Sequence, residues 1–289
     1  MVKVTGCYKK LSKFKLEDIS FMLPKGYIMG LIGENGAGKT TILNLILGLY
    51  KPDQGKVSLF GAEYPTEAKQ IKNNIGFVTT DELFYDFQTL KKNAEVYGKY
   101  YERYDENILG EYLTLFELDG TRKYKTLSKG ERLKFQFAFA LAHSPKLLVL
   151  DEPTANFDPE FREHFLRIIT KFVSDGEHSV ILATHLTTDL DKIADYITFI
   201  HDGRVFLSMD RETLLDKYSI VCGETYKVKQ IDEKRLVGLE SNEQGSTALV
   251  LNTKYGRKYS DTLQVRRPTI EEIMYYNVKA FKKSSKCEK

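Results

Sequence analysis

The 289-residue chain is 42% hydrophobic and 29% charged, with a formal net charge of +3. This is the make-up of an ordinary globular protein, long enough for a sizeable core and an appendage, and its small charge gives no electrostatic case for nucleic acid. Cys7, Cys222 and Cys287 are too far apart to suggest a disulfide framework or a zinc site, which fits a reducing cytoplasm.

In chain order, Met1 to Lys15 is polar and carries lysines throughout, unlike a signal peptide. "YIMGLIG" (27–33) reads as a buried strand, "GENGAGKTT" as a glycine-rich loop and "TILNLILGL" as the helix after it. The longest apolar stretch, "ILNLILGLY", is far short of the roughly 20 residues of a spanning helix, so any membrane role has to come through a partner. The loop Gly33-Glu34-Asn35-Gly36-Ala37-Gly38-Lys39-Thr40 satisfies G-x-x-x-x-G-K-[ST]. In that pattern backbone N–H groups point at phosphate oxygens, Lys39 reaches the β- and γ-phosphates, and the Thr40 hydroxyl coordinates Mg²⁺. A plain glycine turn would not need this strand–loop–helix context.

"KVSLFG" and "NIGFVTT" are further strand candidates, and Thr89 to Leu118 is helical in pattern. In "TLSKGERLKF", Ser128 and Glu131 form a capping box that starts a helix running to about Ala142, where "HSPK" stops it. Such a helix start is also an anion site. "LLVLDE" (147–152) is a buried strand ending in two acids. Asp151 suits Mg²⁺, and Glu152 suits orienting or deprotonating a water. Two acids after a strand are often a helix cap, but with Lys39 upstream they read as a nucleotide hydrolysis site. "SVILATH" (179–185) ends in His185, which can contact a γ-phosphate or bridge to the water. Strands alternating with helices predict an α/β fold with its chemistry at the carboxyl ends of the strands.

After Ser219 the pattern changes. "IVCGETYKVKQI" and "STALVLNTKYGRKYSDTLQV" alternate like strands, "TIEEIMYYNVKAF" reads as a closing helix begun by Pro268-Thr269, and "KKSSKCEK" as a frayed tail. Residues 220–289 hold 14 Lys/Arg against 9 Asp/Glu, an excess read first as solvated surface.

The ordered motifs "GENGAGKTT", "LSKGE", "LLVLDEP", "ANFDP" and "ATH" resemble the nucleotide-binding subunit of ABC transporters over about residues 1–215. The resemblance implies a P-loop ATPase domain at 1–219, with a helical subdomain at about 85–143, while the pattern of residues 220–289 reads as a small α+β accessory domain. It implies two such subunits head to tail, in a homodimer or a heterodimer, with two ATP molecules between them. Each nucleotide would lie on one phosphate loop, with Thr41 at the α-phosphate, and be completed by Ser128 and Gly130 of the other subunit. Asp158 would lie in the loop crossing the interface. The single domain, "DLDKIADYITFIHDGRV" (189–205) and the terminal "TIEEIMYY" resemble the ATPase subunits of ABC-2-type exporters, including those of peptide-antibiotic resistance. That branch implies a transmembrane permease partner, a place on the cytoplasmic face of the membrane, and no nucleic acid. The alternative is a soluble ABC-type ATPase acting in translation or repair. Ribosome-associated forms usually carry two ATPase units joined by a charged linker, a pattern this chain lacks.

The chain departs from the family pattern in three places. "IGFVTTDEL" puts Thr80 where a Mg²⁺-binding Gln is usual, followed by Asp81 and Glu82, so Thr80 or Asp81 is expected as the ligand. Leu11 falls at the adenine-stacking position, with Tyr8 and Phe14 nearby. Lys129 and Glu131 replace the commonest Gly and Gln of the signature, while Ser128 and Gly130 are kept. The surface that couples to a permease is expected around Thr80–Lys99.

Overall fold

Strands β3 (Ile28–Ile32), β7 (Leu147–Asp151) and β8 (Ser179–Thr184) are buried along their whole length, as strands covered on both faces must be. They form the middle of a six-stranded sheet in the order β10 (Arg204–Asp210), β9 (Tyr196–His201), β3, β8, β7, β6 (Ile75–Val78). All pairs are parallel except β10 with β9. The computed structural model describes residues 1–243, 245–252 and 263–287, without the side chains of 283–287. The expected strand and turn over 253–262 therefore lies outside the described residues.

A second, antiparallel sheet runs β2 (Lys15–Leu23), β1 (Val2–Lys10), β4 (Gln54–Leu59), β5 (Ala62–Glu63). Helix α1 (Lys39–Ile46) lies between the two sheets and buries Ile42, Leu43, Leu45 and Ile46. Helix α2 (Ala68–Asn73) then leads into β6.

The helical stretch read from Thr89 to Leu118 is two helices, α3 (Leu90–Gly98) and α4 (Glu106–Leu115). Asp105 interrupts it by accepting the Asn107 N–H at 2.8 Å, an N-cap that competes with helix continuation. Helix α5 (Lys129–Ala142) closes this part, with Tyr124, Phe116, Phe135 and Phe137 fully buried around it. Helices α6 (Pro159–Val173) and α7 (Thr187–Ile193) follow β7 and β8.

Beyond helix α8 (Arg211–Lys217) a third antiparallel sheet runs β12 (Leu236–Asn242), β13 (Gly245–Leu251), β11 (Tyr218–Gly223), β14 (Gln264–Arg266). "YKVKQI", expected as strand, instead starts with the short helix α9 (Thr225–Val228). Its turn is tied by Lys227 and Glu224 at 3.1 Å, and Val228 alone is buried. The final helix α10 (Ile270–Cys287) starts at Thr269, which exchanges hydrogen bonds with Glu272 in a capping arrangement. The tail expected to fray from Lys282 is therefore helical as far as Cys287. Helix α10 packs on α7 and β12, joining the third sheet to the helices that cover the six-stranded sheet.

Candidate functional site

Residues 33–38 link the end of β3 to the start of α1. Gly38, the N-cap, has φ of 112°, a backbone region open to glycine and costly for other residues. Lys39 is buried; its Nζ donates to the Gly33 carbonyl at 2.9 Å and lies 3.4 Å from Glu152 Oε1. Asn35 and Gly36 form the exposed tip. Ala37 is buried, donates to the Glu34 carbonyl at 3.1 Å and accepts the Gly203 N–H at 3.1 Å, which ties the loop to the β9–β10 turn. Thr41 is half-buried one residue into the helix after Thr40.

The parallel register sets Asp151 beside Ala183, so the residues after β7 and β8 emerge side by side. The Thr40 hydroxyl donates to Asp151 Oδ2 at 2.8 Å. Asp151 is buried, and its Oδ1 has no hydrogen-bond partner among the described residues. Burial pushes this carboxyl above the usual range, and the Thr40 bond only partly opposes it. A hydroxyl beside a buried, half-satisfied carboxylate is a donor set that fits a hard cation such as Mg²⁺. Glu152 turns out of the strand with φ of 50°. Its Oε2 lies 2.8 Å from His185 Nδ1 and accepts the His185 N–H at 3.3 Å.

Ser128 and Glu131 make the reciprocal capping bonds, at 3.2 and 2.7 Å, and Arg122 pairs with Glu131. Burial raises the Glu131 carboxyl, but the Ser128 N–H and the Arg122 charge outweigh it and hold it below its ordinary value. A Cβ on Gly130 would stand 2.8 Å from the Asn156 carbonyl, so only glycine lets this helix start approach the loop leading to Asp158. Asp158 caps α6 by accepting the Phe161 N–H at 2.8 Å, which lowers its carboxyl pKa.

The expected residues therefore form two groups. The phosphate loop, Asp151, Glu152 and His185 share direct contacts. Gly130, two residues after Ser128, meets the Asn156 carbonyl in the loop leading to Asp158, and the hydrogen bonds given above for Ser128 and Asp158 involve neither Lys39 nor Thr40.

Sequence comparison adds an independent line. A profile described as "ABC transporter" matches residues 16–155. The ABC transporter ATP-binding protein YtrB of Bacillus subtilis is 31% identical over 203 residues, spanning 70% of this chain and 69% of that protein. The chain belongs to the ABC transporter ATP-binding family.

Other relatives in the family include the Nod factor export ATP-binding protein I of Rhizobium leguminosarum, 32% identical over 66% of this chain and 63% of its own length. The bacitracin transport ATP-binding protein BcrA of Bacillus licheniformis is 29% identical over 71% and 68%. Among solved structures, a dimeric ATP-binding cassette in a post-hydrolysis state with ADP and Pi matches the fold with a TM-score of 0.66 at 24% identity, covering 73% of this chain and 98% of that one.

Several features of this ABC-type subunit were not read from its sequence. Thr80 is exposed and is not hydrogen-bonded to the site. The segment around it is held from below by Gln136, buried in α5, which accepts the Thr79 N–H at 2.9 Å and donates to the Asp81 carbonyl at 3.2 Å. The one signal for Gln136 was a polar residue within the apolar run "FQFAFALA". The Asp81 charge acts on Asp151, raising its carboxyl. Buried Asp189 accepts from Thr154 and from Arg162 Nε, each at 2.8 Å, bracing the loop after β7 against α7.

Beside the phosphate loop lies a cavity of about 980 Å³ lined by Leu11, Phe14, Lys13, His201, Arg204 and Phe281 among others. Phe14 also approaches Gly38, whereas Tyr8 sits outside the cavity, paired with Gln54 across β1 and β4.

Proposed function

We propose that this subunit binds ATP with Mg²⁺ on Gly33–Thr41, pairs with a second ATPase subunit, and hydrolyses ATP to drive a separate transmembrane permease in export. The observation that carries this reading is the cluster of Lys39 Nζ, Glu152 and His185 Nδ1 within 3.4 Å contacts, next to the Thr40–Asp151 pair. Lys39 exchanges its contact with Glu152 for the phosphates, adding positive charge where negative charge builds in the transition state. Glu152 then takes a proton from the attacking water, and His185, donating from Nδ1, fixes the carboxylate's direction and turns Nε2 toward the γ-phosphate. Bound Mg²⁺ supplies charge neutralisation at the phosphate oxygens. Thr40 and Asp151 would hold it, and of the two exposed residues Thr80 and Asp81, Asp81 is the better candidate for a third oxygen because its charge acts on Asp151.

Ser128, Gly130 and Asp158 would serve the nucleotide of the opposing subunit. The exposed side chains Leu83, Tyr85, Phe87 and Tyr100, all within 80–100, support permease docking by this segment, since exposed apolar groups mark interaction sites. The relatives whose names include Nod factor export and bacitracin transport support the exporter reading and a place at the cytoplasmic membrane face. The test is purification from detergent-solubilised membranes. A co-purifying multi-spanning protein, with ATP turnover abolished by Glu152→Gln, is the expected result. Co-purification with ribosomes or DNA and no membrane protein would overturn the transport reading in favour of a soluble ABC-type ATPase.

A further inference from the structure

Helix α10 belongs to the third sheet by sequence, yet its last described side chains lie against the phosphate loop. Lys282 Nζ is 2.7 Å from Glu34 Oε1, and the other Glu34 oxygen is 3.6 Å from His201 Nδ1. Phe281 stacks on the His201 ring, with centroids 5.6 Å apart and planes at 20°. Phe206 also meets it edge-on, at 4.8 Å. Fully buried Ile273, two turns earlier, anchors the helix, so Phe281 is held in the wall of the cavity beside the loop. That cavity also carries Lys13 and the Arg204–Glu17 ion pair.

We propose that α10 completes the nucleotide site of its own chain: Phe281 forms the base-side wall, and the Lys282–Glu34 ion pair fastens it beside the phosphate loop. The proposal rests on the ATP-binding reading above. An aromatic wall is sequence-tolerant toward bases and adds affinity for a nucleoside but none for a bare polyphosphate chain. The third sheet would then set nucleotide affinity through α10 in each subunit separately.

Binding of ATP, ADP and inorganic tripolyphosphate to the full-length chain, measured by calorimetry, tests this. Phe281→Ala is expected to weaken ATP and ADP by about tenfold and to leave tripolyphosphate unchanged. Phe281→Trp should restore nucleotide affinity. Because the chain has no tryptophan, the fluorescence of that variant should be quenched by ATP and not by tripolyphosphate. ATP binding by Phe281→Ala that equals or exceeds wild type overturns the proposal. So does equal weakening of ATP and tripolyphosphate, which would mean that the helix acts on the loop and not on the base. Lys39→Ala separates the two readings: it should lose both ATP and tripolyphosphate, and if it loses neither, the phosphate-loop assignment itself fails.

Discussion

Glu152 Oε2 lies 2.8 Å from His185 Nδ1, joining the ends of two adjacent parallel strands through one carboxylate. The other carboxylate oxygen faces Lys39 at 3.4 Å. Glu152→Gln keeps the shape and removes both the charge and the proton acceptor. ATP turnover should fall at least about a hundredfold, while ATP binding stays at least as tight because Lys39 loses a competing anion. An ATP-dependent dimer should accumulate on gel filtration. Turnover at the wild-type rate would remove Glu152 from the role of base.

Asp151 carries a built-in conflict between stability and ligand binding. Burial raises its folded pKa above the ordinary value that it has in the unfolded chain, so the folded chain holds more protons in the window between the two. The contribution of this group to stability therefore rises as pH falls through the folded pKa and is lost above it. Asp151→Asn should raise the Tm of the nucleotide-free protein by a few degrees at neutral pH, and the gain should shrink as pH is lowered. The same variant should lose Mg²⁺-dependent ATP binding. Calorimetric scans of both proteins across pH isolate this effect from the other carboxylates.

The Ser128 hydroxyl accepts the Glu131 N–H, and its loss should cost about 1 kcal/mol in urea unfolding. If the same hydroxyl serves a partner's nucleotide, Ser128→Ala in the Glu152→Gln background should also lose the ATP-dependent dimer, with ATP affinity of the single subunit kept. Loss of stability with normal dimerisation would reduce Ser128 to a helix cap.

Arg162 offers a test away from the phosphates. Its Nε and the Thr154 hydroxyl together satisfy the buried Asp189 carboxylate. Arg162→Ala leaves that charge stranded and should destabilise the fold by about 3–5 kcal/mol. Adding Asp189→Asn should recover a large part of the loss, as read from the urea midpoints.

The parts legible in the sequence are those whose causes are local. The phosphate loop needs its glycines and Lys39 in one short run, Ser128 and Glu131 cap one turn, and the β7 run "LLVLD" is apolar throughout because both its faces are covered. The illegible parts depend on distant partners. Gln136 is tied to Thr79 across 57 residues, and nothing in either neighbourhood announces the other. "YKVKQI" alternates as a strand would, but a segment this short takes its conformation from packing, and only Val228 finds a buried place. Strand β12 went unread because Gly238 interrupts a run that is only half-buried. Leu11, the residue expected at the adenine position, lines one cavity with Phe14 nearby in sequence and Phe281 far along the chain, a neighbour that no local pattern announces.

Glu34 and Lys282 are 248 residues apart. A chain emerging from the ribosome has its phosphate loop long before it has the helix that leans on that loop. The six-stranded sheet is complete in sequence by Asp210, so all of its strands leave the ribosome before α10 does. Helix α10 can therefore reach the loop only after every strand of that sheet has been made.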